Sequence, residues 1–278
     1  MNDNQNTKNK LSADALIAQK DSMNFAQYHA SFSRIEMTRR EGILLMRLHN
    51  EGQSLHWDME AQQQFIRAFE LVGSDRENRV IILTGAGEDF SGPRVDPDRH
   101  QFFHDAKVTA TSIDPLLYNA RKMLMNLINI EVPIIAAVNG PAKRHCDLVL
   151  SADIVLASEQ ASFEDTAHFH FGSIVPGDGI SIVFTQLLGL NRARYLMLTG
   201  QVLSATEAKQ LGLVSEILPA EKLLDRAWQL AEQLAKKSDM LLRNTRSVLI
   251  QPLRKALQDD LRYFLALESI GVLAHPDK

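Results

Sequence analysis

Two histidines at alternate positions, His168 and His170, precede an aspartate, Asp178, in the stretch EDTAHFHFGSIVPGDG. A Pro-Gly turn lies ahead of the aspartate, and Phe163, Phe169, Phe171, Ile174 and Val175 supply apolar surroundings. An imidazole changes charge near neutral pH, and burial or a carboxylate neighbour tunes it, so this grouping suits general-base chemistry. His168 and Asp178 stand ten residues apart across the turn, close enough to meet as a base and its orienting carboxylate. A carboxylate on Nδ1–H would fix the tautomer and make Nε2 more basic toward water. Spacing alone leaves His170 in competition for the role, because alternate residues of an extended segment share a face. The plainer alternative is a hydrogen-bonded core histidine, with Asp178 capping the next helix.

Three more side chains stand where chemistry is available. His145 ends the run NGPAKRH at a loop-to-helix junction, where helical N–H groups and the helix dipole favour negative charge, and its ring can donate to an oxyanion. A capping or solvent-facing histidine is the alternative. Glu268 falls on the apolar stripe of the last helix, with Leu257, Leu261, Phe264 and Leu265. A carboxylate on an inward face must be paired or functional, an ion pair at a subunit interface being the other reading. Trp57 follows the first hairpin and offers either a substrate wall with an indole N–H or ordinary packing. Other motifs fail. Gly85-Ala86-Gly87 lacks the third glycine of a dinucleotide fingerprint, and His168-x-His170 lacks a third ligand for zinc.

The elements that must position these groups follow a strand–helix–strand rhythm. Ser33–Thr38 and Ile43–Leu48 read as a hairpin around Arg40-Glu41-Gly42. Asp58 is placed to cap a helix through about Val72. Arg79–Thr84, Pro133–Val138 and Asp153–Ala157 are short continuous apolar runs, the pattern of buried parallel strands. Helices are expected over Ile113–Ile130, Cys146–Ser151, Ile180–Leu188 and Arg192–Thr199. Ser204–Gln210 carries a capping box from Ser204 and Glu207. Val214–Ile217 reads as a strand, and the chain beyond Glu221 as helical.

Composition narrows the function classes. The 278 residues are 45% hydrophobic and 23% charged, ordinary for a globular chain able to bury a full core. A net charge of -4 without a local Lys/Arg cluster argues against nucleic acid as a partner. The single cysteine, Cys146, excludes an internal disulfide and suits a reducing compartment. No apolar run is long enough to span a bilayer, so no membrane is expected. Residues 1–24 are polar, with a short helix expected over Ala13–Gln19. The first ten residues lack an apolar segment, and a cytoplasmic location is expected.

The runs VIILTGAGEDFSG, VPIIAAVNGPA, ADIVLASEQASF, IVPGDG and RARYLMLTGQVLSATEAKQLGLVSEIL resemble, in order, the landmarks of the crotonase (enoyl-CoA hydratase/isomerase) superfamily. The similarity runs over roughly residues 30–275. It implies an α/β crotonase fold, a spiral of ββα units forming two near-perpendicular sheets. Residues 25–215 would be the crotonase core, and 216–278 a C-terminal helical region for trimerisation. A homotrimer or a dimer of trimers is implied with it.

The departures from that pattern matter more. The CoA-dependent members build an oxyanion hole from two backbone N–H groups, one in each of two loops. Here the first loop reads Phe90-Ser91-Gly92-Pro93-Arg94, and Pro93 has no N–H to give. The second reads Lys143-Arg144-His145 where a Gly-Gly-Gly run is usual, and the usual catalytic glutamates are replaced by Cys146-Asp147 and Thr166-Ala167-His168. The chain is similar instead to the 6-oxocamphor hydrolase-like β-diketone hydrolases, at Gly52-Gln53-Ser54-Leu55 with Trp57, at NGP ending in His145, at His168-Phe169, at VPGDG and at Glu268. That branch implies CoA-independent, retro-Claisen hydrolysis of cyclic or bicyclic 1,3-diketones to keto acids. It selects His168 with Asp178 as the base dyad, His145 and Trp57 as carbonyl-binding groups, Phe169 as a substrate contact and Glu268 as an aid to proton transfer. The diketone is its own electron sink, so neither metal nor organic cofactor is expected. The rival expectations are an acyl-CoA hydratase or isomerase with a rebuilt site, and a non-catalytic crotonase-fold interaction protein.

Overall fold

The computed structural model describes residues 24–94 and 109–274. The helix expected over Ala13–Gln19 lies outside the described residues. The chain enters through one helical turn, α1 (Phe25–Tyr28), into the hairpin β1 (Ile35–Arg40) and β2 (Ile43–Leu48). Its two turn residues, Glu41 and Gly42, have φ of 49° and 78°, the sign that a two-residue hairpin needs to match the strands' twist. Next come β3 (Leu55–His56), α2 (Met59–Ser74), β4 (Val80–Gly85), β5 (Ser91–Gly92) and α3 (Ala110–Asn129). The expected cap holds: the Asp58 carboxylate accepts the Ala61 N–H at 2.7 Å. Then follow β6 (Ile134–Val138), α4 (Cys146–Leu150), β7 (Ile154–Ser158), β8 (Ser162–Phe163), α5 (Phe169–Gly172), α6 (Ile180–Leu188) and α7 (Leu190–Thr199). The chain closes with β9 (Leu203–Ser204), α8 (Ala205–Gln210), β10 (Glu216–Leu218), α9 (Ala220–Ala235), α10 (Asp239–Leu249) and α11 (Gln251–Ala274). Among the described residues no helix is long and apolar enough to cross a membrane.

The main sheet runs β1-β2-β4-β6-β7-β10, antiparallel at the hairpin and parallel from β2 onward. From β2 to β7 its strands are buried on both faces, whereas β1 at the edge alternates buried and exposed residues. Ile43, Leu45, Val80, Ile82, Ile135 and Leu156 face α9 through Leu223, Ala227 and Ala231. Leu44, Met46, Ile81, Leu83 and Ile134 face the larger core with Phe65, Phe69, Leu127 and Ile128 of α2 and α3. Each fully buried Val, Leu or Ile contributes about 1.5–3 kcal/mol, so the strand ends form a stiff floor under the loops.

Two boundaries differ from expectation. The strand read at Val214–Ile217 is Glu216–Leu218, and it pairs in parallel with β7 as the sixth strand. The division drawn at 215/216 therefore cuts in front of an edge strand, and α9 packs on the sheet rather than apart from it. Backbone pairing decided this, and local apolar pattern does not report it. α11 returns across the other side, packed on α3 and α6. Buried Arg246 of α10 ties the helices to the sheet by donating to Asp153 at 2.8 Å and to the carbonyl oxygens of Ile128 and Ile130.

A second, smaller sheet positions the chemistry. β3 pairs with β5, and β8 with β9. Ala142 bridges Ser91 on one side and Phe163 on the other. β3, Ala142 and β8 of this layer thus lead on to Trp57, His145 and His168 in turn. Loops far apart in sequence emerge side by side.

Candidate active site

The base segment is not extended. After β8 the chain makes two bends and starts α5 at Phe169, so His168 and His170 point apart. His168 is 4% exposed. His170 lies at the surface, its ring against Gly200, where an added Cβ would come within 2.5 Å of it. The shared face expected from period-two geometry is absent, and the structure separates the two rings.

His168 does meet Asp178, but not through the expected nitrogen. Nδ1 of His168 sits 2.9 Å from Asp165 Oδ1, and Nε2 faces Asp178 Oδ2 at 3.4 Å. The orienting carboxylate on Nδ1 is thus Asp165, a residue the sequence reading passed over. Its trace was available: Asp165 also accepts the Ala167 N–H at 3.1 Å, the Asx pattern of an aspartate bonding two residues ahead. Asp178 Oδ1 accepts the Ile180 N–H at 3.3 Å at the start of α6, so it caps that helix and faces the histidine at once. Burial disfavours the charged imidazole, yet Asp178 and Asp165 outweigh it and hold the His168 pKa well above its ordinary value. For Asp178, burial is likewise overcome, by the His168 charge and then by His145, which keep the carboxyl well below its usual range.

His145 joins the same cluster. Its Nδ1 lies 3.8 Å from Asp178 Oδ2 and 3.6 Å from Asp147 Oδ1. Asp147 is 2% exposed on the first turn of α4, and burial pushes its pKa up against the pull of His145. That carboxylate stands on the helix where an absent glutamate had been noted, and its role was missed. His145 itself has φ 51° and ψ 46°, a left-handed backbone that costs a non-glycine residue about 1 kcal/mol or more.

Trp57 is 4% exposed, stacked on Phe65 at 5.2 Å and tilted against the His145 ring at 4.1 Å. It both packs and walls the site. Glu268 backs the Pro-Gly turn of its own chain: a Cβ on Gly177 would lie 2.8 Å from Glu268 Cβ and 2.3 Å from the Phe264 carbonyl. Only a glycine lets the turn carrying Asp178 press so closely on α11. Phe169, expected as a substrate contact, begins α5 at 53% exposure beside the buried His168.

The two loops that would form a backbone oxyanion hole bind each other instead. Ser91 N–H donates to Pro141 O at 3.3 Å, and Lys143 N–H to Ser91 O at 2.9 Å. Ser91 Oγ donates to Arg144 O at 2.6 Å and lies 3.4 Å from the Arg144 N–H. What the loops present to the site is side chains. Among the described residues, no group of three or more His, Cys, Asp or Glu side chains is arranged to hold a metal ion.

Comparison with known proteins agrees with this frame. The family model described as enoyl-CoA hydratase/isomerase matches residues 38–267. A solved beta-diketone hydrolase from the cyanobacterium Anabaena sp. PCC 7120, bound to (S)-3-oxocyclohexyl acetic acid, is 40% identical. It aligns over 89% of this chain and 97% of its own, with a TM-score of 0.83. A probable peroxisomal enoyl-CoA hydratase of Arabidopsis thaliana is 31% identical over 84% of this chain and 83% of its own length. The 2,3-dehydroadipyl-CoA hydratase of Escherichia coli is 29% identical over 82% and 86%. With its spiral core, its second sheet and its C-terminal helices, the chain belongs to the enoyl-CoA hydratase/isomerase family, the crotonase superfamily.

Proposed function

We propose that the protein is a CoA-independent hydrolase that cleaves a C–C bond of a cyclic or bicyclic 1,3-diketone. The observation that carries this reading is the buried run Asp165–His168–Asp178–His145, standing where acyl-CoA enzymes use backbone donors and glutamates. The likeness to the Anabaena diketone hydrolase supports it, and the acid named with that structure is a cyclic keto acid, the class of product such a cleavage releases.

The cluster of imidazoles and carboxylates takes a proton from water, whose oxygen adds to one carbonyl carbon. The π pair moves to the carbonyl oxygen, which His145 and the Trp57 indole N–H stabilise in the role backbone amides play elsewhere. Collapse of this intermediate breaks the bond to the central carbon, and its electrons enter the second carbonyl as an enolate. A proton returned to that carbon, from an imidazolium or with help from Glu268, completes the keto acid. Diketone and water balance the product. Self-association into trimers suits the exposed apolar side chains Val248, Leu249, Tyr263 and Ile270 on the last two helices.

The expected result is loss of diketone ultraviolet absorbance when purified protein meets a panel of bicyclic 1,3-diketones between pH 6 and 9, with no hydration of crotonyl-CoA. The hydratase-named relatives favour the rival reading. Crotonyl-CoA hydration without diketone loss would establish that rival, and inactivity on both would point to an interaction protein.

A further inference from the structure

We propose that Arg94 is a positioning residue that clamps the base segment across His168, holding the buried Glu164 carboxylate on one side and the Phe171 ring on the other. This rests on the diketone-hydrolase reading and names the group outside the catalytic cluster that keeps its histidine seated. Arg94 Nη2 lies 3.0 Å from Glu164 Oε1 and 2.8 Å from Oε2. The same guanidinium stands over the Phe171 ring, 5.7 Å from its centroid, within range of a cation–π contact. Glu164 directly follows β8 and Phe171 lies in α5, so one side chain spans the segment that carries Asp165 and His168.

Burial sets this pair apart from an ordinary surface contact. The Glu164 side chain is 1% exposed and that of Arg94 46%. An ionised carboxylate so placed is tolerated only beside a cation. Burial pushes the Glu164 pKa up, and Arg94, by hydrogen bond and by charge, pulls against it. Lys143 adds a weaker pull, but its Nζ is taken by Asp89 at 2.5 Å, and Asp89 itself pushes the Glu164 pKa up. The other titratable neighbours are Asp165, next in sequence, and the Cys146 thiol of α4, which burial pushes up. Neither can supply a positive charge.

The clamp acts on the ring through one peptide unit. Asp165 follows Glu164, and its Oδ1 lies 2.9 Å from His168 Nδ1. Two further bonds tie the segment to the loop of His145: Thr166 Oγ1 donates to Lys143 O at 2.6 Å, and Glu164 N–H to Ala142 O at 3.4 Å. Arg94 ties it to the other loop, that of Ser91 and Gly92. Those two loops are already joined at Ser91, so the pair completes a triangle of fastenings around the cluster.

Arg94→Met keeps an unbranched side chain beside Phe171 and strands Glu164 without its cation. While the carboxyl is protonated the segment stays seated, and once it ionises an unpaired buried charge drives the segment out. Relative to wild type, kcat on a bicyclic diketone should therefore fall by about tenfold or more between pH 6 and pH 9, with KM little changed. Arg94→Met/Glu164→Gln removes the stranded charge and should erase that pH dependence, and Arg94→Lys should recover most of the loss. Two readouts need no substrate. Losing the cation raises the folded-state pKa of Glu164 further above its unfolded value, so stability relative to wild type is lost as pH rises through the folded value. The gap in unfolding temperature should widen from pH 6 to pH 9. In 15N-histidine protein, the His168 ring signals of the Arg94→Met variant, assigned with His168→Gln, should move over the same range.

A widening stability gap with unmoved ring signals and a flat kcat ratio makes the pair structural only and overturns the positioning role. A raised KM with kcat intact overturns it too, by making Arg94 a substrate-binding group. A gap that stays constant, or a double variant no better than Arg94→Met, overturns the clamp itself. Wild-type protein that leaves every diketone intact overturns the functional reading, while moving ring signals and a widening gap leave the clamp standing.

Discussion

Asparagine in place of Asp178 is expected to lower kcat on a bicyclic diketone by about 10³–10⁴, as loss of an orienting carboxylate does in other histidine-based sites. The size follows from the sharing. One oxygen, Oδ2, faces His168 Nε2 at 3.4 Å and His145 Nδ1 at 3.8 Å, so a single substitution removes the negative charge from both rings. The neutral amide can still accept the Ile180 N–H through its own oxygen, so the start of α6 is preserved. Thermal unfolding should therefore change far less than turnover. Steady-state kinetics with a matched unfolding scan checks this. A variant that keeps more than roughly a tenth of wild-type turnover would remove Asp178 from the centre of the chemistry.

Alanine at Gly140 is expected to destabilise the fold by about 3 kcal/mol, at the top of the usual range for overpacking. An added Cβ would sit 1.7 Å from the Glu88 carbonyl oxygen and 3.3 Å from Asp89 Cα. Those are backbone atoms, and no side chain can rotate away to make room. The crossing is also fastened on both sides: Asn139 accepts the Gly85 N–H at 3.0 Å and donates to Gly87 O at 2.9 Å. The loop carrying His145 must then move relative to the loop of Ser91 and Gly92. For a chain of this size each kcal/mol is worth roughly 2–4 °C in Tm, so calorimetry should read a fall of about 6–12 °C. An unchanged Tm would mean the two loops do not cross as closely as the structure places them.

How far each feature could be read in advance depended on the range of the forces behind it. The hairpin, the three buried parallel strands and the Asp58 and Ser204 caps were legible because they rest on neighbours within a few residues. β10 was found as a strand but shifted by a residue or two, and its place in the sheet was not, since pairing with β7 spans some sixty residues. In the site, His168, Asp178, His145 and Trp57 were all named and are all brought together. Phe169, named as a substrate contact, is set at the surface by the helical turn at 169–172. Asp165 and Asp147 were overlooked, as nothing in their spacing says which ring they will face.

The stretch from Glu164 to Gly179 shows where the division falls. Its residue types determined that the protein has imidazole and carboxylate to work with, as those at Phe90–Arg94 and Lys143–His145 determined that the two loops lack the glycines and the proline-free backbone of a CoA-type oxyanion hole. Those are properties of composition at a position, present before the chain folds. Which nitrogen faces which oxygen was decided by the tertiary structure alone. The bend before α5 turned His170 away, Gly177 let the Asp178 turn lie against α11, and the second sheet brought His145 up from another loop. Hydrogen-bond and charge interactions depend on separations of a few tenths of an ångström and on ring orientation, and only packing across distant segments sets those.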